Sequence, residues 1–239
     1  QLIRVSHHGP RLHVKAMREI PGIHYRFKDP DLLALALSHR SLGRLNNERL
    51  EFLGDSILNF VVSARLFELK TTEDEGDLSR LRARVVRGET LAELANGLKL
   101  GDYIKLGEGE LKSGGYRRKS ILADALEALL GAIYLDGGFA SCEKVIEHVI
   151  APVMQNLPDA AELKDPKTRL QEYLQGEGLA LPEYRLLSDE GPPHRKNFLV
   201  QCSSENAGFS VTGEGRSRRK AEQVAAAAAL QIIRDDANK

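Results

Sequence analysis

Four acidic residues invite a chemical reading. Glu51 and Asp55 lie in NNERLEFLGDSILNF (46–60), and Asp124 and Glu127 lie in ILADALEALLGAIYL (121–135). Both segments carry apolar residues at helical period. At about 100° per residue, Glu48, Glu51 and Asp55 share one narrow sector of a helix. Leu50, Leu53, Ile57, Phe60 and Val61 fall opposite, with Gly54 among them. A solvated face of an amphipathic helix accounts for that stripe equally well. The second segment shifts the balance. It is apolar nearly all round, the pattern of a buried helix, and its only charges, Asp124 and Glu127, stand at i and i+3. An ionised carboxylate is very costly to bury without compensation, and two together repel and favour protonation. A divalent cation resolves both difficulties. An all-oxygen donor set without thiolate suits Mg²⁺ or Mn²⁺. Glu51, Asp55, Asp124 and Glu127, brought together by two packed helices, then form a metal site. The alternative is that Asp124 and Glu127 pair with arginines such as Arg117 and Arg118, as charges in cores usually do.

The elements that must position these residues fall into two patterns. From Phe27 to about Val153 the periodicity is helical, with Asp31 as the expected start of a first helix. Further helices are predicted over 47–69, 78–86, 90–98, 119–135 and 140–154, with a polar break at TTEDEGD (71–77). GEGELKSGG (107–115) lacks the Gly-x₄-Gly-Lys-Ser/Thr order of a phosphate-binding P-loop and reads as a turn. Its flank, with Lys112, Arg117, Arg118 and Lys119, is placed to bring a phosphate backbone towards the second acidic helix. PDAAELKDP (158–166) then reads as a linker. Beyond it come a helix over 166–175, strand-like runs at 183–188, 197–203 and 208–215, and a helix beginning at Ser217 that contains the alanine run 225–229. The expected architecture is an all-α domain over 18–157, a linker over 158–164 and a small α+β (α-β-β-β-α) domain over 165–236, with residues 1–17 as a disordered extension.

Composition narrows the class of function. Among 239 residues, hydrophobic types make up 42% and charged types 28%, the profile of a globular protein of about two domains. No apolar run reaches the roughly 18 residues that mark a transmembrane helix, so no membrane partner is expected. Formal net charge is zero, so nucleic acid would have to be met by local patches. Cys142 and Cys202 lie far apart, outside any CxxC or Cys/His cluster, which points to a reducing, cytoplasmic setting and argues against a zinc site. His24 and His39 are assigned no role, and the serines show no partners of a nucleophilic triad.

Three features of the second domain suggest one ligand. In GRSRRKAEQ (215–223), Ser217 is a good N-cap, but Arg218, Arg219 and Lys220 place cations where they oppose the helix dipole. Phosphates received at that helix end would explain them. GPPHR (191–195) is an ordinary turn sequence that presents His194. The exposed face of the first helix, with Thr168, Gln171, Glu172 and Gln175, offers polar groups suited to 2′-hydroxyls in an RNA minor groove. Each feature alone is ordinary surface; together, on an α-β-β-β-α pattern, they point to duplex RNA.

NNERLEFLGDSIL resembles the signature motif of ribonuclease III, and EGDLSRLRA (75–83), LKSGGYRRKSILADALEALLGAIYLD (111–136) and DPKTRLQEYLQ (165–175) extend the likeness. GPPH and SRRKAEQ are similar to two loops of a double-stranded RNA-binding domain. The resemblance runs from about Ile23 to Ile233. It implies that Glu51, Asp55, Asp124 and Glu127 bind divalent metal, with Asp55 and Glu127 most directly tied to catalysis. Glu48 and Glu75 match acids nearer the dimer interface and substrate cleft. It also implies a homodimer through the endonuclease domain, cleavage of one strand per site, 5′-phosphate and 3′-hydroxyl ends with a short 3′ overhang, and processing of rRNA and other structured precursors. The chemistry is metal-assisted in-line hydrolysis without a covalent enzyme intermediate. Two other readings are a non-catalytic RNA-binding protein, which a missing acid would favour, and a phosphohydrolase of small esters, against which the second domain speaks.

Overall fold

The computed structural model describes residues 17–192 and 194–237. Apart from Met17, the expected amino-terminal extension lies outside these residues, as does Pro193 of the GPPHR turn. The chain divides into two compact units, Gln1–Leu157 and Pro158–Lys239.

The first unit is all-α. Its elements are α1 (Pro30–Ala36), α2 (Glu48–Leu69), α3 (Glu75–Val86), α4 (Gly88–Gly97), α5 (Glu108–Lys112), α6 (Lys119–Gly137) and α7 (Phe139–Gln155), with 3₁₀ turns at Arg40–Leu42, Leu100–Asp102 and Gly115–Arg117. Asp29, not Asp31, caps α1: its side chain accepts from the Asp31 N–H, and Pro30 takes the first helical position, where no N–H is needed. Asp74 caps α3 through the Asp77 N–H at 2.7 Å, so that helix starts three residues before the expected Leu78. α5 lies inside the stretch read as a plain Gly-rich turn.

The centre of this unit is α6. Ile121, Leu122, Ala125, Leu126, Leu129, Leu130 and Ile133 are all buried, as its apolar circumference requires. α2 packs along it through Leu50, Ile57, Leu58, Val61 and Val62. Phe60 departs from the expected buried face. It is 61% exposed and joins Phe52 and Phe67 on an outward side of α2, because the true apolar stripe runs through Gly54, Leu58 and Val61 and Phe60 falls outside it. At the end of α6, Asp136 gathers the segment before α1. Its carboxylate accepts from Tyr25 Oη at 2.7 Å and from the Lys28 and Asp29 N–H groups, each at 2.8 Å. Ile20, Ile23 and Phe27 are thereby seated in the core.

The second unit is α+β: α8 (Ala160–Leu163), α9 (Pro166–Gly176), β1 (Glu183–Glu190), β2 (Asn197–Ser204), β3 (Phe209–Gly215) and α10 (Arg218–Ala237). The short helix α8, with Ala160 buried, stands in the segment read as linker. The sheet is antiparallel in the order β1-β2-β3, with Tyr184 opposite Cys202 and Cys202 opposite Val211. A bulge lies between Leu186 and Ser188. Leu170, Leu174, Cys202, Phe209, Ala225, Ala226 and Ala229 make the core. The alanine run now has a physical reason. A Cβ at Gly213 would strike the backbone of Ala221 and Ala225, so small residues on both sides let α10 lie directly on β3.

Candidate metal centre

The crossing of α2 over α6 unites the two acidic segments. Carboxylate oxygens of Glu51, Asp124 and Glu127 all lie within 4.8 Å of one another, and each of these residues is half-buried. Oxygens on opposite sides of one Mg²⁺ sit roughly 4.2 Å apart, from Mg–O distances of about 2.1 Å. The trio therefore needs little adjustment to close on a cation.

The electrostatics agree. Burial pushes the Glu127 carboxyl up to about 8, and the charges of Asp55, Glu51 and Asp124 add to the effect. Burial also raises Glu51, reinforced by Asp124, Glu48 and Asp55 and opposed by Arg40. Asp124 is raised by burial against the pull of Arg40 and His39. Three acids held against their own repulsion in a hard-oxygen setting fit a divalent cation, and the donor set suits Mg²⁺ or Mn²⁺.

The other expected acids are placed differently. Asp55 is exposed, one turn along from Glu51 and outside the trio; its Oδ1 accepts from Asn59 Nδ2 at 2.8 Å. Glu48 is exposed and stands 3.9 Å from Arg40. Glu75 lies on α3, accepts from Ser79 Oγ at 2.9 Å, and lines a separate groove of about 380 Å³ with Phe60, Phe67, Leu78 and Arg82. Arg117 and Arg118 have other partners, and the arginine whose charge reaches Asp124 is Arg40. Arg118 is engaged by Glu110 at 2.6 Å, and the Arg117 guanidinium lies over the Tyr116 ring at 5.1 Å.

Sequence reasoning missed His39, Arg40 and Asn47. They line a polar cavity of about 180 Å³ together with Glu48, Glu51 and Asp124. The Ser41 N–H donates to His39 Nδ1 at 3.2 Å, and Ser41 Oγ lies 2.9 Å from the same nitrogen. Ser41 Oγ also accepts from the Gly107 N–H at 2.8 Å, so the Ser41 hydroxyl is free to donate to Nδ1. With Nδ1 as the acceptor, the ring nitrogen that carries a proton is Nε2. The signal was faint: a buried histidine capping a three-residue turn has no periodicity to give it away.

In the second unit, Ser217 Oγ accepts from the Lys220 N–H at 3.2 Å, the expected cap. Arg219, Lys220, His194 and Gln171 are exposed. Arg218 and Glu172 are engaged within the domain. Arg218 Nε donates to Glu222 at 2.9 Å, and Lys164 Nζ donates to both Glu172 oxygens at 3.0 and 2.9 Å. Thr168 Oγ1 donates to Asp165 at 2.9 Å.

Comparison with known proteins follows the same division. Residues 29–154 match the family model described as Ribonuclease-III-like, and residues 166–233 match the double-stranded RNA binding motif. The chain is 57% identical over 209 residues to Ribonuclease 3 of Pseudomonas paraeruginosa, covering 87% of this chain and 91% of that one. It is 55% identical over 211 residues to Ribonuclease 3 of Nitrosococcus oceani, again 87% and 91% of the two chains. A solved nuclease domain of ribonuclease III from Campylobacter jejuni matches with a TM-score of 0.55 at 43% identity, covering 57% of this chain and 94% of that one. A second structure of that domain, concerned with flexibility in a region involved in dimer formation, matches with a TM-score of 0.54 at 46% identity, covering 54% and 92%. Fold and site thus define a helical nuclease domain joined to a double-stranded RNA-binding domain. The chain belongs to the ribonuclease III family, the endonucleases of double-stranded RNA.

Proposed function

We propose that this chain hydrolyses phosphodiester bonds of double-stranded RNA with Mg²⁺, for which Mn²⁺ can substitute, and leaves 5′-phosphate and 3′-hydroxyl ends with a short 3′ overhang. The observation that carries the reading is the trio of Glu51, Asp124 and Glu127, whose oxygens converge within 4.8 Å. These three hold the cation, and Asp55 completes the set from one turn along α2, steadied by Asn59. When bound, divalent metal supplies activation of water and charge neutralisation at the departing 3′-oxygen. Glu127 must release its proton for the site to load, and Arg40 offsets part of the acidic field on Glu51 and Asp124. Asp55 and Glu127 are the pair most directly tied to catalysis, while Glu48 and Glu75 are accessory.

The RNA-binding domain reads the duplex with Thr168, Gln171 and Glu172 on α9, His194 in the β1–β2 turn, and Ser217, Arg218, Arg219 and Lys220 at the start of α10. Shape and 2′-hydroxyl contacts set the selectivity. The nuclease domain works as a homodimer. Exposed Phe52, Phe60 and Phe67 on α2 and the groove between α2 and α3 supply an apolar face of the kind that marks an interface. No described helix is long and apolar enough to cross a membrane. The cellular substrates are rRNA and other structured precursors in the cytoplasm, a compartment in keeping with two free, buried cysteines.

A long duplex RNA incubated with and without Mg²⁺ tests the reading through product end groups and overhang length. Glu127→Ala and Asp55→Ala are expected to abolish cleavage while duplex binding survives. Unchanged cleavage by Glu127→Ala at saturating Mg²⁺ rejects the assignment.

A further inference from the structure

The two helices of the RNA-binding domain are tied to each other at their amino-terminal ends by side chains that no recognition role has claimed. Gln223, in the second turn of α10, uses both ends of its amide. Its Nε2 donates to Asp165 Oδ1 at 2.8 Å, and its Oε1 accepts from the Lys167 backbone N–H at 3.2 Å. Asp165 is the N-cap of α9 and accepts from the Thr168 N–H with the same oxygen at 3.1 Å. Lys167 belongs to the first turn of α9, where N–H groups have no partner within their own helix. One orphan donor of α9 is therefore satisfied by a residue of α10. Beside it, Lys167 Nζ donates to Glu222 Oε2 at 2.6 Å, while Arg218 Nε takes Glu222 Oε1 at 2.9 Å. Burial alone would raise the Glu222 carboxyl, but the bonds from Lys167 and Arg218 outweigh it and hold it below the ordinary range.

The placement of this network matters more than its strength. It joins the amino-terminal end of α9, which presents Thr168 in its first turn and Gln171 in its second, to the turn of α10 that presents Arg219 and Lys220. A reader of A-form RNA must touch a minor groove and the phosphates across the neighbouring major groove at a fixed separation. Flexible placement of the two helix ends would have to be ordered on binding, which costs affinity and blurs the measurement of groove width.

Resting on the reading that these two faces meet RNA, we infer that Gln223 is a positioning residue for duplex recognition: by cross-capping α9 through Asp165 and Lys167, it sets the spacing of the two RNA-contacting helix ends before RNA arrives. It is a specificity element without being an RNA contact.

The test uses the full chain with Mg²⁺ replaced by Ca²⁺, and duplexes of about 20 base pairs, longer than the roughly 16 such a domain spans. Kd is measured for double-stranded RNA and for an RNA–DNA hybrid of the same sequence, across a salt series. Gln223→Leu is expected to weaken RNA binding by about fivefold, near 1 kcal/mol, and hybrid binding much less, so the RNA-to-hybrid ratio falls. The salt slope stays unchanged because the phosphate-binding cations remain. A ratio unmoved by Gln223→Leu overturns the inference, provided that joint Arg219→Ala and Lys220→Ala weakens binding. If that joint change leaves binding intact, the RNA-face reading itself falls. Should both Gln223→Leu and the shorter Gln223→Asn lose affinity for RNA and hybrid alike, only in step with a lowered melting midpoint, Gln223 is a stabilising residue and the inference is wrong.

Discussion

Gly54 and Gly131 meet backbone to backbone where α2 crosses α6. A Cβ on Gly54 would collide with the Glu127 carbonyl, and one on Gly131 would collide with the Leu50 carbonyl. The glycine of LEFLGDSIL is thus a spacer: it lets the helix bearing Glu51 and Asp55 lie against the helix bearing Asp124 and Glu127. Any side chain here must push the helices apart, and the trio opens with them. Gly54→Ala is expected to destabilise the nuclease domain by about 1–3 kcal/mol, the usual range for overpacking, and to reduce cleavage further than the stability loss explains. Denaturant unfolding and duplex cleavage at saturating Mg²⁺, measured on one preparation, check both halves. Wild-type cleavage by a folded Gly54→Ala variant would contradict the spacer role.

Glu127 makes a prediction about pH. Its carboxyl is raised from the ordinary 4.5 to about 8, first by burial and then by Asp55, Glu51 and Asp124. The folded protein therefore binds this proton more tightly than the unfolded chain does. The associated stability is fully present below about pH 4.5 and is lost as pH rises through 8. In EDTA, the wild-type protein is expected to lose stability between pH 5.5 and 8.5, whereas Glu127→Gln, which cannot ionise, shows a flatter profile over that window. Chemical denaturation at three pH values decides it. Parallel profiles for the two proteins would show that Glu127 is not held protonated.

Loading the site must then release protons. At pH 7 Glu127 is largely protonated in the metal-free protein, and ligand carboxylates bind a cation in their ionised form. Mg²⁺ or Mn²⁺ titrated calorimetrically in buffers of different ionisation enthalpy is expected to show release of up to about one proton per site at pH 7 and less at pH 9. Affinity should rise over the same interval. Heats independent of the buffer would rule this out.

The legible and hidden parts of this protein differ in a physical way. Asp124 and Glu127 stood out because charges in an otherwise apolar helix demand a partner, and helical spacing put Glu51 within reach of them; the same spacing pointed to Asp55, which lies exposed outside the trio. The α-β-β-β-α order was readable because strand runs and turn residues alternate plainly. Side-chain partnership was not. Arg218 and Glu172 looked free in one dimension, yet Glu222 and Lys164 engage them. His39 and Arg40 reach the acidic cavity only because the Ser38–Lys105 bridge folds that segment against the loop before α5, a long-range contact with no periodic trace. Phe60 sat at the edge of the helical stripe, where a small error in angle turns inside into outside.

The basic end of α10 yields the last prediction. Arg219 and Lys220 are exposed in the first turn, where they work against the helix dipole. Arg218 is half committed to Glu222. If the turn receives phosphates, Arg219→Ala and Lys220→Ala should each weaken duplex binding and each lower the slope of log K against log salt by about one unit. Arg218→Ala should change the slope less, since its charge is already partly balanced. The same substitutions remove charges that the dipole disfavours, so the domain should melt at an unchanged or slightly higher temperature. Loss of binding together with gain of stability is the signature of residues kept for a ligand rather than for the fold. Affinity and salt slope unaltered by either single change, in a protein that still binds duplex RNA, would move the phosphate contacts elsewhere on the domain.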